Sequence, residues 1–388
     1  MSRASITKCR AAGLLMALAL AVGFSAARPA AAAGAPALQA KAATPPPPLD
    51  LDSRILPLGG KLDEPQAWAA YKSRFITAEG RVIDTANGNI SHSEGQGYGM
   101  LLAVAANDRR TFGQIWGWTR ANLMVRRDEL LAWRFDPDKR PGVSDTNNAT
   151  DGDILVAWAL SEAARFWGNP AYAVAGTRIS ANIASELIVK QSHFGPWLLP
   201  AVHGFSASEQ GGTPILNLSY FIFPAFERLQ KIAPEGNWNR LVDSGLKLLR
   251  ASRFGPAKLP AEWENMSGAK LAPASGSPAE FAYNALRIPL YMAFAGVGER
   301  RDYQPFSTLW AVPDGPLSII SLSSGTPSRP MGEPGYMAVA ALVQCVVAGT
   351  KFSTQTRTFY PQQNYYPATL QMLSLLAAHM RYPSCVQP

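Results

Sequence analysis

The chain has 388 residues, 47% hydrophobic and 16% charged, enough apolar side chain for a large core and too apolar for a disordered protein. Its formal charge of +8 is concentrated at the start: residues 1–41 hold five Lys/Arg and no acid, leaving +3 for the rest, too weak a bias to argue for nucleic acid. Four scattered His and no paired Cys ligands argue against a structural zinc site, and no G-x-S-x-G elbow or phosphate loop appears.

Arg3, Lys8 and Arg10 precede an apolar stretch from Ala11 to Ala27, and Ala31-Ala-Ala33 supplies small residues for cleavage. Residues 1–33 therefore read as a secretory signal, with a membrane anchor as the alternative. Residues 34–53 form an Ala/Pro-rich linker that includes the stiff run Thr44-Pro-Pro-Pro-Pro48. Residues 54–388 are expected to be one domain. Cys9 lies within the signal, whereas Cys345 and Cys385 survive its removal. In an oxidising compartment the two could form a disulfide; Cys345 could equally be core filling.

From there to the C-terminus, helix-length apolar segments alternate with short Gly/Pro/Asn breaks and no strong strand alternation. The predicted helices are Glu64–Phe75, Glu94–Ala106, Thr111–Met124, Asp153–Trp167, Tyr172–Lys190, Ser219–Ile232 and Trp238–Ser252. Pro278–Ala295, Tyr303–Val312, Gly335–Gly349 and Tyr366–Met380 follow. The expected class is all-α, with helices paired about a centre. Polar, aromatic-bearing loops at Leu131–Asp136, Gly204–Asn217 and Phe254–Trp263 are candidate functional segments.

Three of these segments carry chemistry. Ser91-His-Ser-Glu-Gly-Gln-Gly-Tyr-Gly99 sets Glu94 among small residues, where a tight apolar setting would raise its pKa and make it a proton donor. The competing reading is a capping box between Ser91 and Glu94. Asn147-Asn-Ala-Thr-Asp-Gly-Asp153 opens the next predicted helix with two aspartates. One could cap it, leaving the other, two Asn and a Thr to grip hydroxyls. Farther on, Tyr283, Asn284 and Arg287 fall on nearly one helical face, and Arg287 in so apolar a helix calls for a carboxylate partner.

These stretches, with Ile215-Leu-Asn-Leu-Ser-Tyr220, resemble glycoside hydrolase family 8 in content and order. The resemblance implies an (α/α)6 barrel forming a single catalytic domain. The implied activity is inverting hydrolysis of internal β-1,4-glucan bonds, without a cofactor or metal. By the same resemblance Glu94 is the general acid. Asp151 holds the sugar at the cleavage point and modulates Glu94, since an inverting enzyme forms no covalent intermediate. Trp133 stacks on a sugar ring, and Asp153, Tyr220, Tyr283, Asn284 and Arg287 complete the substrate-binding set. Asn284 departs from the family, much of which has an aspartate base here; an amide cannot accept that proton. Asp151, Glu280 and Glu209 are the candidates for a replacement base, Asp151 first. The implied setting is periplasmic or secreted, free of the membrane after signal cleavage, with β-1,4-glucan and the cellulose synthase complex as partners. The alternatives are a non-catalytic glucan-binding component of cellulose export and a chitosanase or xylanase.

Overall fold

The computed structural model describes residues 56–312 and 315–387, so the signal, the linker and Cys9 lie outside the described residues. The helices are α1 (Pro65–Phe75), α2 (Ser93–Ala105), α3 (Arg109–Asn122), α4 (Thr150–Trp167), α5 (Pro170–Glu186), α6 (Phe223–Ile232) and α7 (Trp238–Ala251). They continue as α8 (Arg287–Ala295), α9 (Arg300–Leu309), α10 (Gly335–Ala348), α11 (Thr354–Arg357), α12 (Tyr365–Arg381) and α13 (Pro383–Val386).

The even-numbered helices form a closed inner ring, α2 against α4, then α6, α8, α10 and α12 back to α2. The odd-numbered ones pack outside: α3 on α2, α5 on α4, α7 on α6, α9 on α10, and α11, a single turn, beside α10. Helix α1 lies against α12, where the Tyr71 hydroxyl meets Thr369 at 2.8 Å. This is the (α/α)6 barrel. Hydrophobic pattern decides the layer. Residues Met100 to Ala105 of α2 and Pro367 to Ala378 of α12 are buried on every side, as an apolar-all-round helix must be. In α7 the buried Trp238, Leu241, Val242, Gly245 and Leu248 follow the one-stripe spacing of an outer helix.

All eleven predicted helices are present, but proline corrected several starts. A proline lacks the N–H an interior position must donate, so it belongs in the first turn. Pro170 begins α5 and Pro224 sets the start of α6. Pro289 confines α8 to Arg287 onward. The expected helix from Pro278 is instead a short strand, Glu280–Phe281, followed by a turn over 283–286. Tyr283 and Asn284 therefore sit on that turn and not on a helical face.

Short strands of two to five residues, too brief for alternation to show in sequence, tie the loops at the barrel end. Ser91–His92 pairs with Arg134–Phe135, which fastens the Trp133 loop to the start of α2. Ile215–Leu216, Glu264–Ser267 and Lys270–Pro273 make a three-stranded antiparallel sheet. Glu280–Phe281 joins Leu317–Ser321 and Pro327–Met331 in another. Cys345 and Cys385 are disulfide-bonded, tethering α10 to the C-terminal α13. Among the described residues no helix is long and apolar enough to cross a membrane.

Candidate active site

The first turns of three inner helices converge: Glu94 is the second residue of α2, Asp151 the second of α4 and Arg287 the first of α8. Glycine makes the approach of α2 and α4 possible. A Cβ on Gly152 would lie 2.0 Å from Ser93 Oγ and 2.7 Å from the Glu94 nitrogen, and one on Gly97 would lie 2.5 Å from Leu155 Cβ. Gln96 anchors the start of α2 from below, accepting the Val82 N–H at 2.6 Å and donating to Thr119 Oγ1 at 2.8 Å.

Arg287 links the two carboxylates. Its Nη1 donates to Glu94 Oε1 and, at 2.8 Å, to Asp151 Oδ2. Its Nη2 donates to Ser219 Oγ at 2.8 Å and Asn284 Oδ1 at 2.9 Å, and the guanidinium carbon lies 5.7 Å from the Tyr220 ring centre. The Arg287 side chain is 1% exposed and that of Glu94 15%, so Glu94 is the member open to a ligand. Burial pushes the Glu94 carboxyl above the ordinary carboxylate range; Arg287 opposes the rise and Asp151 adds to it. A carboxyl shifted in this direction is better suited to donate a proton.

The capping alternative for Glu94 fails. Ser91 is in the strand before α2, its hydroxyl donating to the Val82 carbonyl, and the N-cap position, His92, makes no side-chain cap bond. His92 instead reaches Asp84, Nε2 to Oδ2 at 3.3 Å. That partnership places an imidazole–carboxylate pair beside the motif, which the spacing of Ser91 and Glu94 alone did not disclose.

Asp153 is a correction. Expected against the sugar, it is fully buried: Oδ1 accepts the Leu131 N–H and Oδ2 the Asn148 amide, both at 2.8 Å. Burial raises its pKa to about 7. Asn148 and Thr150 are likewise spent on the adjacent segment 199–202, on the Val202 N–H and the Leu199 carbonyl. The polar surplus of this motif holds loops together, and Asp151 alone faces Arg287.

Trp133 is half-buried on the loop fastened to α2, its indole N–H donating to Asp145 at 2.8 Å. Tyr220 sits edge-on to Trp263, which stacks on Phe205 with ring centres 5.6 Å apart. Tyr283 is 43% exposed and lies 5.8 Å from the Tyr336 ring. Trp133, Tyr220 and Tyr283 are thus the aromatic side chains of these segments, of the type that stacks on sugar rings.

Two proposed bases are elsewhere engaged. Glu280 pairs with Arg329 at 2.7 Å, on the strand and not one turn below Asn284. Glu209 accepts from the Gly204 and Ser206 N–H groups and the Ser206 hydroxyl, and these bonds lower its pKa to about 2. A carboxylate absent from the sequence-based candidates, Glu262, lies at the end of the loop marked there as Phe254–Trp263. Its Oε1 accepts the N–H groups of Ala282 at 3.2 Å and Ala285 at 2.9 Å, on either side of Asn284.

A family model described as Glycosyl hydrolases family 8 matches residues 61–380. A probable endoglucanase of Novacetimonas hansenii is 35% identical over 322 residues, which is 80% of this chain and 90% of that relative. Endo-beta-1,4-glucanase CMCax from Acetobacter xylinum is similar in structure, with a TM-score of 0.74 and 33% identity over 84% of this chain and 99% of that one. Endoglucanase Cel10 from Klebsiella pneumoniae gives a TM-score of 0.72 and 34% identity over 80% of this chain and 98% of that one.

Proposed function

Because the chain belongs to glycosyl hydrolases family 8, we propose from its geometry that it is an inverting endo-β-1,4-glucanase with Glu94 as general acid. The observation that carries the role of Glu94 is its carboxyl, partly open to the cleft, raised in pKa by burial and held by Arg287 beside Asp151. Glucan lies across the open end of the barrel, stacked on Trp133. Glu94 protonates the leaving glycosidic oxygen while a water attacks the anomeric carbon from the opposite face. Asp151 and Arg287 fix the Glu94 carboxyl and the sugar at the point of cleavage.

The disulfide and the signal-like start support export to an oxidising compartment, periplasmic or extracellular. The sequence resemblance supports work alongside the cellulose synthase complex. Asn284, whose amide oxygen is taken by Arg287, favours one second reading, a glucan-binding protein without turnover.

The viscosity and new reducing ends of carboxymethylcellulose separate the readings. A fast viscosity fall with few new ends is expected, reduced about 10²–10⁴-fold in Glu94→Gln with glucan binding kept. Binding without any viscosity change in either protein would leave the non-catalytic reading. Parallel digests of chitosan and xylan test the sugar.

A further inference from the structure

With an amide at position 284, the site described so far has an acid and no assigned base. Asp151 gives Oδ2 to Arg287 and Oδ1 to the Gly152 N–H. Asp84 is held by His92 and the Ala86 N–H on the Glu94 side of the site. Glu280 and Glu209 are engaged at the surface. An inverting enzyme needs its second carboxylate about 6.5–9.5 Å from the acid, across the space where water attacks.

We propose, on the premise that the chain is the inverting glucanase described above, that Glu262 is the catalytic base. The geometry is specific. Glu262 and the Asn284 turn are locked together by the two backbone bonds to Ala282 and Ala285, and Asn284 is bonded through Arg287 to Glu94. Asn284 and the Arg287 guanidinium thus connect the turn that Glu262 holds to the Glu94 carboxylate. Both backbone bonds use Oε1, and the Asn284 N–H also faces the carboxylate. The side chain is partly exposed, next in sequence to Trp263, whose ring meets Tyr220. Tyr220 is the common neighbour: its phenol feels the charges of Asp151, Arg287, Glu94 and Glu262 together. Burial pushes the Glu262 carboxyl above its ordinary value, against the backbone N–H groups and Arg287, which strengthens it as a proton acceptor.

In the step, the water oxygen bonds to the anomeric carbon as the glycosidic C–O bond breaks. The water proton passes to Glu262, and the leaving oxygen takes the proton of Glu94. One water is consumed, and solvent returns both carboxyls to their starting states. Asn284 is then a positioning residue, its amide orienting Arg287 while its turn cradles the base.

Glu262→Gln is the discriminating variant, because the Gln carbonyl can still accept the Ala282 and Ala285 N–H groups while losing the base. On cellopentaose its kcat is expected to fall about 10²–10⁴-fold, with KM nearly unchanged and the acidic limb of the kcat/KM pH profile gone. Glu262→Ala with sodium azide should regain turnover and yield α-glycosyl azide, since azide attacks without needing a base. A Gln variant within about threefold of wild type, or retaining the acidic limb, overturns the proposal, as does a failure of azide rescue. Wild-type inactivity on carboxymethylcellulose would instead remove the glucanase premise, whereas an active wild type with an indifferent Glu262→Gln removes only this base.

Discussion

The two walls of the cleft are built differently. The Glu94–Asp151 wall rests on two inner helices whose backbones touch through Gly97 and Gly152. The facing wall is assembled from a 3-10 turn at Leu218–Tyr220, a loop at 262–263 and the turn before α8. The first wall is set by side-chain absence, the second by hydrogen bonds between distant segments. Arg287 is the tie, since it bonds to carboxylates on one side and to Ser219 and Asn284 on the other. The placement of Glu94 therefore depends on tight helix packing, and the groups opposite it depend on polar contacts that a single substitution can loosen.

Removing the tie should have the largest effect on the comparison. Arg287→Met leaves two buried carboxylates without their shared cation, expected to cost about 3–5 kcal/mol in urea unfolding and to raise the Glu94 pKa further. Unchanged stability would mean that the walls hold without it. A smaller effect is expected on the helical wall. Gly152→Ala places a methyl against Ser93 and the Glu94 backbone, and overpacking of this kind costs about 1–3 kcal/mol. Hydrolysis should fall with it, because the displaced atoms carry the acid; a fully active Ala variant would show that the wall can yield.

The polar wall has its own signature in pH. Glu264, two residues after Glu262 at the start of a strand, is fully buried with Oε2 near Ser252 Oγ at 2.5 Å, and burial raises its pKa to about 8. A folded pKa above the unfolded value means that the native state holds the proton more tightly. The associated stability is complete below the unfolded value, near 4.5, and is lost as pH rises through about 8. Glu264→Gln should remove that decline, leaving a thermal midpoint that changes less between pH 6 and pH 9. The same slope in the variant would place the alkaline sensitivity elsewhere.

Legibility in sequence followed the same division. The eleven apolar helices and the two motifs on α2 and α4 could be read because burial period, cap residues and glycine spacing are local properties. The strand before α8 was not read: the apolar run from Pro278 passed for helix, and Pro289 restricts the helix to Arg287 onward. Asp153 and Asp151 looked equivalent, yet one clamps Leu131 and Asn148 inside the protein while the other meets Arg287. Their difference arises from which backbone happens to approach each oxygen, something no spacing within the motif encodes.

By itself, then, the sequence determined a succession of apolar helices and a glutamate among glycines, and its resemblance to a family implied the barrel and showed an amide where much of that family has a base. Only the tertiary structure decided which polar groups are structural, that Cys345 meets Cys385, and that Glu262 shares the Asn284 turn. The reason is physical. Helix pattern and close packing follow from residues a few positions apart, whereas a carboxylate's role depends on the donors, charges and solvent brought to it by segments far along the chain.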